Sequence, residues 1–455
     1  MSRPDPGSEG LVRNLGVAAA GAFVVTNMVG TGIFTLPAFV RVAAGSAPAA
    51  LGVWVAAGLL GLCGALCYAE LATRMPGAGG EYRYLARVFG PLWGFLSGWT
   101  SFIVGFSAAV AASALGMIAY VAPLIPGWET DAVLVAPLGI TQGGASAATI
   151  VLALTLVHSV GIRSSGRFQT ILASMVVAAV VLFVLVGFAA GRGDWGGLRA
   201  AGTAQGSWWA ALLPVSYAYA GWNAAAYMAG EVKRPGRNLP RAIIGGALAV
   251  MALYLAVNAL FFYAIPEADW EPVIAVGQLA ASRLLGDAGS LMVSAIIALA
   301  MFGSVSAMTA VGPRIYFAMA RDGLAPRPMG RLSAAGRVPV VAIVAQGVLA
   351  ALLAMTGAFE ALLIYIGSSL LLFNALTIST LFVLRRGGEA APPGTFVTPG
   401  HPVPGLVFVV VTAAAWGQGL ISTPVPTMAA LATLLAGGLV YAVGRSKGWI
   451  AAAIT

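Results

Sequence analysis

The chain has 455 residues, of which 60% are hydrophobic and only 9% charged, with a net charge of +9. A soluble domain carries about 25% charged residues, so a water-coated globule of this length is excluded, and a chain whose outer surface is lipid fits. The 59 glycines suit close helix packing in a bilayer. The first ten residues are polar and the apolar run after them is too long for a cleavable signal peptide. Cys63 and Cys67 form neither a metal pattern nor a disulfide framework and read as small buried side chains on one helix face. His158 lies in an apolar run, where it has either a structural or a polar role; His401 stands far from it.

In chain order, twelve apolar segments are long enough to cross about 30 Å of hydrocarbon as helices. They fall near 15–40, 49–72, 92–122, 145–162, 168–190, 207–230, 240–264, 288–319, 339–357, 359–384, 404–421 and 425–443. Their apolar character is continuous rather than alternating, which predicts helices and not a barrel. With the N-terminus inside, only Arg41, Arg192, Arg199 and Arg283 of the 24 lysines and arginines fall on the outer side. Positive charge gathers on the cytoplasmic side of membrane proteins, so both termini are expected there, in a multi-pass protein of the cell (plasma or inner) membrane. The net charge is then topological, and nucleic acid is not a partner. The acidic residues fall in outer loops or at inner helix ends, among them Glu70 and Glu231. None lies near a bilayer midplane, which disfavours a proton relay built on a midplane carboxylate.

Two spans carry an internal flaw. The first is interrupted by Gly30-Thr31-Gly32, followed by Pro37; each glycine weakens a helix by about 1 kcal/mol relative to alanine. The sixth holds Pro214, Ser216, Tyr217, Tyr219, Gly221, Trp222 and Asn223 near its middle, too deep for an interfacial aromatic belt. A small-residue packing seam is one reading of the first flaw. The other is a pair of discontinuous helices, whose freed amides and carbonyls bind the charged ends of a substrate. Spans one and six correspond if spans one to five repeat, inverted, as six to ten.

Several motifs carry a family resemblance. Val29-Gly30-Thr31-Gly32-Ile33-Phe34, Met75-Pro76-Gly77-Ala78-Gly79-Gly80-Glu81-Tyr82, Ala220-Gly221-Trp222-Asn223 with Glu231-Val232-Lys233-Arg234-Pro235-Gly236, and Pro313-Arg314-Ile315-Tyr316 follow one another along the chain. In that order they resemble the amino acid–polyamine–organocation transporter superfamily, with its LeuT-type fold. Gly221-Trp222-Asn223 is similar to the L-type neutral branch, and the exit of the eighth span to the cationic branch. The resemblance implies an all-α polytopic membrane protein with about 12 transmembrane helices. A 5+5 inverted repeat (15–190 and 207–384) has discontinuous helices 1 and 6; two C-terminal helices (404–443) and short cytoplasmic tails (1–14 and 444–455) complete it. The implied function is secondary active transport of amino acids by alternating access, with small neutral L-amino acids as substrates. Cationic amino acids or polyamines are the alternative within the fold. The tails leave no room for an output domain, which disfavours a non-transporting sensor, and no polar cluster supports an enzyme.

By the same resemblance, the amides around Gly30, Thr31 and Gly32 hold the substrate carboxylate, with Met28 beside them. Carbonyls near Tyr217, Ala218 and Ala220 take the ammonium, Tyr217 closes over the substrate, and Asn223 steadies the unwound backbone or touches the side chain. Glu70 and Glu231 are candidates for inner-gate ion pairs with Arg237, Arg241 or Arg314, with ordinary interfacial salt bridging as the alternative. No cofactor is expected, and coupling to Na+ or H+ is open. Many neutral-branch members carry a lysine in span five, where this chain has Val176 at or next to the position and no lysine from Phe168 to Ala190. Ser304, Ser306 and Thr309 are candidate Na+ ligands, with back-bonding within the helix as the alternative. The partners are the amino acid substrate and the lipid bilayer; the oligomeric state is open.

Overall fold

The computed structural model describes residues 13–160, 165–196, 207–334, 338–357, 359–388, 391–422 and 424–450. The tails expected at 1–14 and 444–455 therefore fall largely or partly outside the described residues, as do Arg3, Arg163, Arg199 and Arg337. The first apolar segment forms α1 (Val17–Met28) and α2 (Thr31–Ala44), separated at Val29 and Gly30. Gly30 departs from helical geometry with φ −142° and ψ −140°. The next helix, α3 (Ala47–Arg74), starts on Ser46, whose hydroxyl accepts the Ala49 amide, a cap that satisfies one of the orphan donors of a helix start.

The segment after α3 lies between the expected spans 49–72 and 92–122, and it forms the amphipathic α4 (Glu81–Phe89). The third span is α5 (Pro91–Thr100) and α6 (Ala109–Val121), joined by a π-helical stretch at Ser101–Ala108. Such stretches are frequent at functional sites. A short hairpin, β1 (Val133–Val135) with β2 (Ile140–Thr141), precedes α7 (Gln142–Val160) and α8 (Ser165–Ala189). The sixth span is split into α9 (Trp208–Ala218) and α10 (Ala224–Tyr227) by a turn through Gly221. Gly221 has φ +109°, a backbone state that side-chain-bearing residues rarely adopt.

The second half continues with α11 (Pro235–Ala264), then α12 (Val276–Val311), which kinks at Gly286, and α13 (Pro313–Arg321). After these come α14 (Val340–Met355), α15 (Phe359–Arg386), α16 (Val403–Ser422) and α17 (Pro424–Ser446). Among the described residues, ten helices are long and apolar enough to cross a membrane. The remaining two expected spans differ in length: α14 has 16 residues, and the sixth is the broken α9–α10 segment. Apolar side chains such as Leu156, Leu185, Val425 and Leu435 point outward on several of these helices, as a lipid-facing surface requires.

Helices pack in pairs. The broken first span lies against the broken sixth, α3 runs along α11, α6 along α12 and α7 along α14, so each of the first four spans meets its counterpart five spans later. The final pair, α16 and α17, packs on α15 at the outside. The face that carries the basic clusters, called here the basic face, is tied together by backbone. The Asn14 and Leu15 amides donate to the Glu231 carbonyl and the Lys233 amide donates to Leu15.

Candidate substrate site

Both breaks leave backbone polar groups without helical partners. The first amides of α2 have no intrahelical acceptor, and no side chain caps its start at Gly30. The aligned peptides behind them give that end partial positive charge, suited to an anion. On the other side, the ends of α1 and α9 present carbonyls. The Tyr254 hydroxyl of α11 lies 2.5 Å from the Met28 carbonyl oxygen and 3.1 Å from that of Ala218, so one phenol bridges both half-helix ends. The Ala220 amide donates to the Tyr217 carbonyl, while the Asn27 side-chain amide donates to the Gly221 carbonyl at 3.3 Å.

A narrow cavity lies between the breaks. All eight substrate-site residues singled out in the sequence line it: Met28, Gly30, Thr31, Gly32, Tyr217, Ala218, Ala220 and Asn223. Across it, the Tyr217 and Thr31 hydroxyls meet at 3.2 Å. Gly32 has a packing reason to be glycine, since a Cβ there would stand 2.6 Å from the Ala218 Cα. The two half-helix ends touch at that point and leave no room for a side chain.

Several other wall residues were not anticipated. Ser101, Gly105 and Phe106 come from the π-helical stretch, Tyr227 from α10, and Leu370 and Asn374 from α15. No charged side chain lines the cavity. Among the described residues, no group of three or more His, Cys, Asp or Glu could hold a metal ion.

The chain matches the amino acid permease family over residues 15–442. It belongs to that family. It is similar to the b(0,+)-type amino acid transporter 1 of Oryctolagus cuniculus, 30% identical over 387 residues that cover 84% of this chain and 78% of the relative. The Large neutral amino acids transporter small subunit 2 of Homo sapiens is 30% identical over 461 residues, 97% of this chain and 83% of the relative. The Serine/threonine exchanger SteT of Bacillus subtilis (strain 168) is 29% identical over 385 residues, 83% of this chain and 84% of the relative. The chain is thus an amino acid permease, a multi-pass membrane transporter and not an enzyme.

The gating candidates of this permease divide. Arg314 donates to Glu231 at 3.1 Å, joining α13 to the segment after α10. Glu70 meets none of Arg237, Arg241 and Arg314. Its carboxylate is fully buried and receives Arg74 at 3.0 Å, Arg385 at 3.0 and 2.5 Å, and the Thr398 amide at 2.8 Å. It fastens α3 to α15 and to the chain before α16. The reason is register: Glu70 sits on the face of α3 turned toward the C-terminal helices, not toward α13.

The ion-site candidates divide as well. Only Ser304 reaches the cavity. The Ser306 hydroxyl lies 3.1 Å from His158 Nε2, and Thr309 bonds back to the Val305 carbonyl at 2.7 Å. Val176 is buried in α8. The polar group of α8 nearest this region is Gln169, whose amide donates to the Thr26 hydroxyl at 2.7 Å.

The sequence reading missed two further groups. Tyr254 is a single phenol in an apolar span, and its partners are carbonyls distant in the chain, which no local pattern reveals. Glu81 stands inside a quoted motif but was assigned to a loop. It is buried, and its Oε1 accepts the Asn223 amide, the Tyr68 hydroxyl and the Tyr227 hydroxyl. Its position at the start of an amphipathic turn directly after two glycines was the available signal.

Proposed function

We propose that this permease carries small neutral L-amino acids across the cell membrane by alternating access. The observation that supports it best is a cavity between two helix breaks with no charged side chain on its wall. A zwitterion needs its two charges matched, and backbone dipoles match them there. The substrate carboxylate takes the amides of Gly30, Thr31 and Gly32 with the Thr31 hydroxyl. The ammonium takes carbonyls at the ends of α1 and α9, with Ala220 beside them. The side chain then faces Ser101, Phe106, Asn223 and Leu370, a mixed wall suited to small residues. A buried cationic side chain would want a carboxylate or an open aromatic face, and Asn223 and Tyr227 stand between the cavity and Glu81.

Two of the relatives are named for neutral amino acids and for serine/threonine exchange, which supports the neutral reading. Positive charge collects on the cytoplasmic side, so the basic face is the cytoplasmic one and both termini lie there.

The test is uptake into proteoliposomes of labelled alanine, serine, leucine, lysine and a polyamine, each with and without internal unlabelled substrate and a Na+ or pH gradient. Saturable uptake of the small neutral amino acids is expected. Gly32→Val, which displaces α2 from α9, lowers it at least about 100-fold while the protein stays folded. Preference for lysine or the polyamine refutes the neutral assignment. Binding without uptake makes the protein a sensor.

A further inference from the structure

We propose that Glu81 is a proton-binding site, and that its protonation is tied to closure of the basic face beneath the substrate cavity. This deepens the transport reading above and rests on it. Glu81 starts α4 and is only 2% exposed. Its Oε1 accepts three neutral donors: the Tyr68 hydroxyl from α3 at 2.8 Å, the Asn223 amide from the second break at 2.6 Å, and the Tyr227 hydroxyl from α10 at 2.8 Å. The Tyr68 hydroxyl also lies 2.9 Å from Asn374 Oδ1 on α15. Other titratable groups near this cluster are Tyr84 on α4, with the Arg83 guanidinium close to it, and Tyr316 on α13. Phenols and an amide thus hold the carboxyl through Oε1, and among the described residues no cation pairs with it. Other acids of this face have their own partners: Glu70 has Arg74 and Arg385, Glu231 has Arg314, and Asp322 accepts the Tyr82 hydroxyl.

A carboxylate withdrawn from water without a cation is costly, and the group neutralises instead. Burial pushes the Glu81 carboxyl above the ordinary carboxylate range, against the downward pull of its three hydrogen bonds. Three of the residues around it, Asn223, Tyr227 and Asn374, also line the substrate cavity, so one thin layer of side chains separates proton site and substrate. The same layer is part of the seal. The Gly79 amide, just before α4, donates to the Tyr227 carbonyl at 3.2 Å.

Opening the basic face separates α4 from α10 and lets water reach Glu81. The carboxyl O–H bond then breaks, the proton passes to water on that side, and the carboxylate stays hydrated. Closing the face buries the carboxylate again, and it regains its proton from the cavity side: the Tyr227 hydroxyl, which lines the cavity, gives its proton to Oε1 and takes another from cavity water that entered from the opposite face. Amino acid and proton therefore leave together on the basic face, and a proton gradient directed toward that face drives uptake.

The experiment pairs wild type with Glu81→Gln, which is isosteric and keeps an acceptor for the three donors. In the purified permease, the melting temperature of wild type falls as pH rises through the raised carboxyl pKa, because only the folded state resists ionisation; in Glu81→Gln this dependence is lost. In proteoliposomes, each unit of inward pH gradient raises wild-type accumulation up to about tenfold. Glu81→Gln keeps exchange against internal substrate and loses the gradient response, and Glu81→Asp, which retains a titratable group, preserves it. A Glu81→Gln protein with undiminished gradient response overturns the proposal, as does a pH-dependent melting curve equal to that of wild type. If wild type itself shows no exchange, the transport reading fails, and the melting comparison still decides the proton site.

Discussion

Glu70 lies near the end of α3 and Glu81 starts α4, and both carboxylates are withdrawn from water on the basic face. The first is held by two arginines and a backbone amide, while the second is held by two phenols and a side-chain amide. A buried acid with matched cations is a fastener, because breaking such a pair strands charge in a poor solvent. A buried acid with only neutral donors has a reason to change protonation state. The two therefore separate structure from function within one face of the protein: Glu70 ties the repeat to the C-terminal helices, and Glu81 borders the cavity wall.

The largest effect expected from this contrast is on folding. Glu70→Ala leaves Arg385 and Arg74 facing each other without their common acid, which costs about 3–5 kcal/mol. The yield of folded protein in detergent and its melting temperature fall together. If Glu70→Ala melts like wild type, the fastener reading is wrong and the two acids are alike. A smaller effect sharpens the other side of the contrast. Tyr68→Phe removes one donor from the ionised form of Glu81, which raises the carboxyl pKa further and costs about 1 kcal/mol of stability. The pH-dependent drop in melting temperature then moves to higher pH. A shift to lower pH would mean that Tyr68 supports the protonated form.

Much of this architecture was legible in the sequence because hydropathy and charge report directly on the bilayer. Long apolar runs give the spans, and the segregation of arginine gives the basic face. The two breaks were legible because Gly30, Gly32 and Gly221 are costly inside helices and sit at corresponding places in the two halves. The lining by Met28, Thr31, Tyr217 and Asn223 was implied by the family resemblance of the motifs that hold those breaks. The pairing of Glu70 with Arg385 was not legible, since it depends on which face of α3 turns toward α15. Glu81 was hidden because it lies between the expected spans, and only its docking under Asn223 and Tyr227 shows that the first residue of α4 is buried. Ser306 and Thr309 share a helix with Ser304, but their hydroxyls turn to His158 and to the Val305 carbonyl, a difference of rotation that spacing alone does not determine.

The central claim is that the two helix breaks grip the charged ends of an α-amino acid and not its side chain. Calorimetric titration of the purified permease with L-alanine, its methyl ester and its N-acetyl derivative tests this directly. The account predicts that alanine binds, and that blocking either end weakens binding at least about tenfold, the value of one charge-assisted hydrogen bond. An ester or an acetylated derivative that binds as tightly as alanine itself would contradict it.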